Sequence, residues 1–340
     1  MEYRVNIDLA NTTKAELASV IDGKDKRALN RVGAFSSLFL PDLTRYSEPV
    51  LVLKTEEPGS KQVLAFQYGR IESICYDMIN HLINDCVVMG AEPLAAQDLV
   101  VCGRLDKSIV TRVVSALSAA CQAQGCALTG GETTEQPDIL PDGTYILGSS
   151  IVGVVERNKI IDGSAILPGD IVVALGSSGP HTNGYTLIRD LLKKNPSLAE
   201  EPVGSRTFID AVLEPHRCYY QPLKDLFGGR LVGLAHITGG GIRENLNRIL
   251  PPTVDARINL QLYQPPAVFQ TIQNASNASL ELMLRTFNLG VGLAAVCRPD
   301  LVDSIIEHLT TFGEQAYVIG EIVSGSGKVD CYGTLPRRGT

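Results

Sequence analysis

His181 and His236 each stand in or beside a glycine-rich polar loop that closes an apolar run and precedes a helical one. The first loop is Gly176-Ser-Ser-Gly-Pro-His-Thr-Asn-Gly-Tyr185, and the second lies within Leu234-Ala-His-Ile-Thr-Gly-Gly-Gly-Ile242. Glycines in such a turn let backbone N–H groups face an anion, and a following helix start adds its own orphan donors. A histidine placed there can touch a bound substrate and hold or move a proton. One such loop is only a turn, and a lone histidine is more often a structural hydrogen-bonder. Two copies of the same arrangement favour function. His216 and His308 carry no local pattern.

A second group of residues is suited to cations. Asp77, His81 and Asp85 fall at i, i+4 and i+8 of a helical segment, with Asn84 beside them. One stripe of that helix therefore gathers oxygen and imidazole donors. Cys75, Met78, Ile79, Leu82, Cys86 and Met89 form a separate apolar stripe for the core. Magnesium takes hard oxygen donors, often one or two carboxylates together with nucleotide phosphates. Asp77 and Asp85 suit that role, and Glu132 in a third polar glycine loop, Thr129-Gly-Gly-Glu-Thr-Thr134, can join them. The alternative is a solvated helix face. Neither a Gly-x-x-x-x-Gly-Lys-Ser/Thr phosphate loop nor a Gly-x-Ser-x-Gly nucleophile turn occurs in the chain.

The elements that must position these groups follow from periodicity. Strands are expected near Val50–Leu53, Val63–Phe66, Ala95–Val101 and Tyr145–Val155, with helices near Glu72–Met89 and Lys107–Gln124. In the second half, Ile171–Leu175 reads as a buried strand, and Tyr185, Leu187, Ile188, Leu191 and Leu192 recur at helical spacing. A helix from about Arg243 to Leu250 should stop before Pro251-Pro252, and another covers Leu301–Leu309. Turn residues cluster at Ile161–Asp170, which divides the chain into domains 1–168 and 169–340. Mixed strand and helix without strict βαβ regularity predicts an α+β protein.

The 340 residues allow a large core, and 44% hydrophobic with 20% charged residues is ordinary for a globular protein. A net charge of −7 argues against non-specific nucleic-acid binding. No apolar run reaches the length of a membrane span, and MEYRVNIDLA lacks the apolar core of a signal peptide. The eight cysteines form no Cys-x-x-Cys pair and sit among apolar neighbours, as reduced core thiols of a cytoplasmic protein do.

Several runs together resemble the aminoimidazole ribonucleotide synthetase (phosphoribosylformylglycinamidine cyclo-ligase) family. They are Asn84-Asp85-Cys-Val-Val-Met-Gly-Ala-Glu-Pro93, Gly130-Gly-Glu-Thr-Thr-Glu-Gln-Pro137, the 176–185 loop, Ala235-His-Ile-Thr-Gly-Gly-Gly241 and Thr286-Phe-Asn-Leu-Gly-Val-Gly292. The similarity extends from about Pro49 to about Ile322 in family order. The first two runs are shared with related ATP-dependent synthetases, whereas Pro-His-Thr-Asn-Gly-Tyr and Ala-His-Ile-Thr-Gly-Gly-Gly are more particular to this family.

The resemblance implies a two-domain ATP-dependent synthetase fold, with an N-terminal ATP-binding and dimerising domain and a C-terminal α/β-sandwich-like domain. It implies a homodimer, ATP and Mg2+, and a small ribonucleotide substrate. The implied reaction is ATP-dependent closure of formylglycinamidine ribonucleotide to aminoimidazole ribonucleotide. His181 and His236 are then the candidate catalytic residues, and Ser178, Asn183, Thr238, Gly239 and Gly240 the substrate-binding ones. Glu56, Lys61, Asp77, Asn84 and Glu132 fall on the ATP side, with Asp77 and Asp85 for metal.

One region departs from the family. Where Thr-Asp-Gly-Val-Gly-Thr-Lys is usual, this chain reads Thr55-Glu-Glu-Pro-Gly-Ser-Lys61. Glu56 keeps the charge with one more methylene, Glu57 places a carboxylate where a glycine allowed close approach, and Pro58 removes an N–H. Upstream, Val32-Gly-Ala-Phe-Ser-Ser-Leu38 has lost most of an expected glycine-rich segment. The competing expectations are a related small-molecule kinase and a non-catalytic paralogue that binds a nucleotide-like ligand or partner.

Overall fold

The computed structural model describes residues 6–336; the first five residues of the N-terminal run and the last four of the chain lie outside it. The chain divides into two units. The first comprises residues up to Pro58, Gln62–Cys86 and Ala91–Arg157, and the second Gly59–Lys61, Val87–Gly90 and everything from Asn158 onward.

The first unit contains helix α1 (Ile7–Ile21), strand β1 (Pro49–Glu56), most of α2 (Lys61–Gln67) and α3 (Ile71–Val87). It continues with β2 (Glu92–Cys102), α4 (Lys107–Ala123), β3 (Ala127–Glu135) and β4 (Tyr145–Glu156). Its sheet has the order β1-β4-β2-β3, antiparallel except for the β2–β3 pair. Strand alternation sends one face inward and leaves the other apolar but open. Along β1 the pattern alternates without a break, and Leu51 and Leu53 are 56% and 71% exposed. Leu99 of β2 and Ile146 of β4 are also exposed.

On the inward side α3 is buried on most of its surface, with Ile74, Cys75, Ile79, Leu82 and Cys86 all inaccessible. The helix α4 starts where Asp106 accepts hydrogen bonds from the N–H groups of Ser108 and Ile109 at 2.9 and 3.1 Å. That cap satisfies two of the orphan donors of the first turn.

Two expectations for this half are corrected. Val63–Phe66 is helical, within α2, because Lys61, Gln62, Leu64 and Ala65 are buried while Val63 is exposed, a pattern that does not alternate. A short apolar run of this kind has no period of its own to decide between strand and helix. Thr129–Thr134 is likewise no loop: it belongs to β3, parallel to β2, where Gly131 lies against the Asp98 carbonyl with no room for a Cβ.

The second unit is built on a six-stranded sheet. Its elements are β5 (Ile171–Gly176), α5 (Tyr185–Lys194), the two-residue strands β6 (Pro202–Val203) and β7 (Arg206–Thr207), α6 (Phe208–Val212) and α7 (Tyr220–Leu223). Then come β8 (Gly233–His236), α8 (Gly241–Asn247), β9 (Val254–Asn259), α9 (Ala267–Ser276) and α10 (Leu280–Thr286). The last are β10 (Val291–Cys297), α11 (Val302–Thr311), β11 (Ala316–Ser324) and β12 (Val329–Tyr332). The order is β12-β9-β11-β5-β10-β8, and only β12–β9 is parallel. Every residue of β10 and all but the first of β5 are buried, which explains why both read as continuous apolar runs. Sheets flanked by helices in each unit make the protein α+β, with two domains.

Candidate functional site

In the first unit the chemistry gathers at the end of β1 and on α3. Lys54 places its Nζ 2.6 Å from Glu56 Oε1 and 3.2 Å from Asp85 Oδ2. Burial pulls the Lys54 ammonium down, yet the hydrogen bond to Glu56 and the charge of Asp85 leave it raised. His81, one turn before Asp85, has Nε2 3.8 Å from the same carboxylate oxygen. Two carboxylates from distant parts of the sequence thus face one positive centre. Asp77 and Asn84 are inaccessible on the same helix. Eight residues of α-helix advance about 12 Å, so a single ion would be held by Asp77 or by Asp85 and not by both.

Glu132 is exposed on β3, opposite Leu99 in the register. Beside it, Asp98 is 7% exposed at a shift in the β2–β3 pairing. Burial pushes the Asp98 carboxyl up to about 7, and the negative charge of Glu132 adds to the effect. In the variant loop, Glu57 accepts a hydrogen bond from Gln62 Nε2 at 3.1 Å, while Gln62 Oε1 receives the Leu147 N–H at 3.0 Å. The substituted glutamate is therefore held by the body of the first unit.

The second unit brings its glycine loops and histidines together. Gly184 (φ +81) precedes α5 and Gly240 (φ +90) precedes α8, each in the left-handed region and neither replaced by a side-chain cap. Only glycine takes that conformation without strain, so the repeated grammar seen in sequence has one physical cause. Asn183 Oδ1 lies beside Gly239, where an added Cβ would approach it to 3.2 Å. The two loops are neighbours, and Asn183, Thr238, Gly239 and Gly240 share one locality.

Two asparagines fasten these loops. Asn288 donates to the Gly179 carbonyl at 2.9 Å, and its Oδ1 receives the Ser177 hydroxyl and the Gly290 N–H, each at 2.9 Å. Asn245 donates to the carbonyls of Gly239 and Gly241 at 3.0 and 2.9 Å. Ser178 Oγ donates to the Pro215 carbonyl at 2.6 Å, which draws the 214–216 segment against the first loop. Lys61, inaccessible to solvent, donates to the Glu214 carbonyl at 2.8 Å with its ammonium 5.5 Å from the Tyr185 ring centre. It belongs with the second unit.

The three histidines of this unit's loops form one buried cluster. His181 and His216 stack with ring centres 3.8 Å apart, and His216 Nε2 meets His236 Nε2 at 2.9 Å. His181 receives the Ser178 N–H on Nε2 at 3.3 Å and holds φ +59, uncommon for a residue with a side chain. His181 and His236 were legible from their loops. His216 was not, because its segment has no pattern. Asn288 lay in a run noticed for resemblance, Thr286–Gly292, whereas Asn245, Lys54 and Asp98 carried no signal.

Known proteins share this organisation. The AIR synthase related protein N-terminal domain matches residues 44–155, and the corresponding C-terminal domain matches residues 168–331. A phosphoribosylformylglycinamidine cyclo-ligase of Chromobacterium violaceum is 42% identical over 296 residues, covering 86% of each chain. One of Magnetococcus marinus is 40% identical over 331 residues, 95% of this chain and 94% of its own. Among solved structures, a thiamine-monophosphate kinase from Stenotrophomonas maltophilia superposes with a TM-score of 0.66 at 15% identity, covering 96% of both chains. The hydrogenase maturation protein HypE, solved with ATP, gives 0.63 at 16% identity, covering 88% of this chain and 85% of its own. At such identities these two share the fold.

Proposed function

The chain belongs to the phosphoribosylformylglycinamidine cyclo-ligase family, and on that premise we propose which of its residues do each part of the work. It is an ATP-dependent ligase of purine biosynthesis that closes formylglycinamidine ribonucleotide to aminoimidazole ribonucleotide, with release of ADP and phosphate. ATP activates the formamide oxygen by phosphorylation, a substrate nitrogen attacks the activated carbon, phosphate departs and the ring closes.

The first unit holds the nucleotide. Glu56, Asp77, Asn84 and Glu132 serve that side, whereas Lys61, bonded to the Glu214 carbonyl, stays with the second unit. The donor chemistry at Glu56 and Asp85 fits a divalent cation, since both turn a carboxylate oxygen to the Lys54 ammonium. Magnesium bound with ATP supplies neutralisation of the transferring phosphoryl charge. The raised Lys54 ammonium contributes positive charge at the same place.

The second unit holds the ribonucleotide. Backbone N–H groups of the 176–185 and 238–241 loops take its phosphate, helped by the start of α5, while Ser178, Asn183 and Thr238 orient it. His236 handles the proton that must move as the ring closes, and His181 supports the developing charge. The observation that carries this reading is the buried grouping of His181, His216 and His236 beside two glycine-bounded loops.

Two copies pair through the open face of the four-stranded sheet, which exposes Leu51, Leu53, Leu99 and Ile146. The cytoplasm suits a chain whose eight cysteines are all free, six of them buried. Among the described residues no helix is long and apolar enough to cross a membrane.

The test is a coupled ADP-release assay on purified protein at saturating magnesium–ATP, with and without formylglycinamidine ribonucleotide. ADP release that requires the ribonucleotide, together with aminoimidazole ribonucleotide as product, is expected. Folded protein that binds the ribonucleotide without turning it over would overturn the reading.

A further inference from the structure

Three loops that are far apart in the chain each deliver one buried histidine to a single cluster. His181 follows β5, His216 lies between α6 and α7, and His236 ends β8. They are 1%, 1% and 6% exposed. Their contact is specific in its atoms: the Nε2 of His216 meets the Nε2 of His236 at 2.9 Å.

A neutral imidazole carries one proton, on one of its two nitrogens. Two neutral rings that meet through Nε2 at hydrogen-bonding distance must therefore hold opposite tautomers. One donates from Nε2–H, and the other accepts on Nε2 and carries its proton on Nδ1. Two Nε2–H groups would collide, and two bare Nε2 lone pairs would repel. Because the pair is buried, water cannot readily take the place of either partner.

We propose that His216 is a positioning residue, which locks the tautomer and ring orientation of His236 through this Nε2–Nε2 hydrogen bond. The proposal rests on the reading of His236 as the residue that handles a proton in ring closure. His216 is itself held on two sides. Its ring stacks on His181 at 3.8 Å with an interplanar angle of 21°, and its backbone is drawn in by the hydrogen bond from Ser178 Oγ to the Pro215 carbonyl. His181 is anchored in turn by the Ser178 N–H on its Nε2, which leaves its own proton, when neutral, on Nδ1. Ser178 thus steadies both rings that stand behind His236. An isolated histidine can exchange tautomers alone, whereas the His216–His236 pair can change state only if both rings do so together.

The experiment uses the full chain labelled with 15N-histidine, where five histidines give a tractable spectrum. In the wild type, one Nε2 of the 216–236 pair should appear protonated and the other unprotonated, with no fast averaging. Two equally averaged rings would overturn the proposal without any variant. His216→Ala should turn the His236 signals into tautomer averages and lower kcat roughly ten-fold or more, with KM for the ribonucleotide changed less than about two-fold. His216→Gln, whose amide can reach a similar position, should recover much of kcat, which separates positioning from mere support of the fold. An unchanged His236 signature or unchanged kcat in folded His216→Ala overturns the inference. His236→Ala in parallel tells the two levels apart. If His236→Ala loses turnover and His216→Ala does not, only the positioning role fails; if His236→Ala retains turnover, both fall.

Discussion

Gly292 leaves the space that the His181 ring fills. A Cβ at 292 would stand 2.7 Å from His181 Cε1 and would collide with the Tyr219 hydroxyl, which donates to the Gly176 carbonyl at 2.8 Å. The strand β10 thus sets how closely the first glycine loop can approach the sheet, and through His181 it sets the place of the histidine cluster. Gly292→Ala should cost about 1–3 kcal/mol of stability through overpacking and should lower kcat. Urea unfolding followed by steady-state assay would check both, and an unaltered variant would show that the loop can give way.

Asn288 serves three partners at once: Ser177 and Gly179 of the first glycine loop, and Gly290 of its own segment. Asn288→Ala should leave the Gly179 carbonyl without its donor and cost about 2 kcal/mol. KM for the ribonucleotide should rise as the loop loosens. Equal KM in variant and wild type would limit Asn288 to stability.

Asp98 provides a pH signature. Its carboxyl is raised from 3.8 to about 7 by burial, with Glu132 adding to the effect. The folded state therefore keeps this proton at pH values where the unfolded chain has released it. The associated stability is fully present below pH 3.8 and is lost as pH rises toward 7. The decline is about 1.4 kcal/mol for each pH unit in that window, about 4 kcal/mol in all. Asp98→Asn should flatten the dependence, and denaturant midpoints measured at several pH values between 4 and 8 would reveal it. Parallel curves for the two proteins would count against the raised pKa.

Asp85 and Glu56 turn to the same ammonium, that of Lys54. Asp85→Asn should weaken magnesium–ATP binding roughly ten-fold while changing ribonucleotide binding less than about two-fold, as expected for loss of one charged cation ligand. Isothermal titration with each ligand separates the effects. Equal loss for both would assign Asp85 to structure.

Leu53 is 71% exposed on β1, the edge strand of an open, apolar sheet face. Leu53→Lys should place a charge in the proposed dimer interface and shift the protein toward monomer in sedimentation velocity. A wild-type monomer, or a variant that remains dimeric, would move the interface elsewhere.

Local signals in the sequence were enough for the glycine-bounded loops, the two-sided stripe of α3 and the apolar strands β5 and β10. These depend on the backbone freedom of glycine and on periods of a few residues, which any stretch of chain carries with it. Resemblance along the chain added the family and its reaction. Tertiary structure alone decided that Lys61–Gln67 is a helix and that Thr129–Thr134 is a strand, because burial and pairing with distant segments settled their conformation. It also brought His216 to His236 and buried Asp98 beside Glu132. Contact and desolvation come from residues remote in sequence, and no local pattern records them.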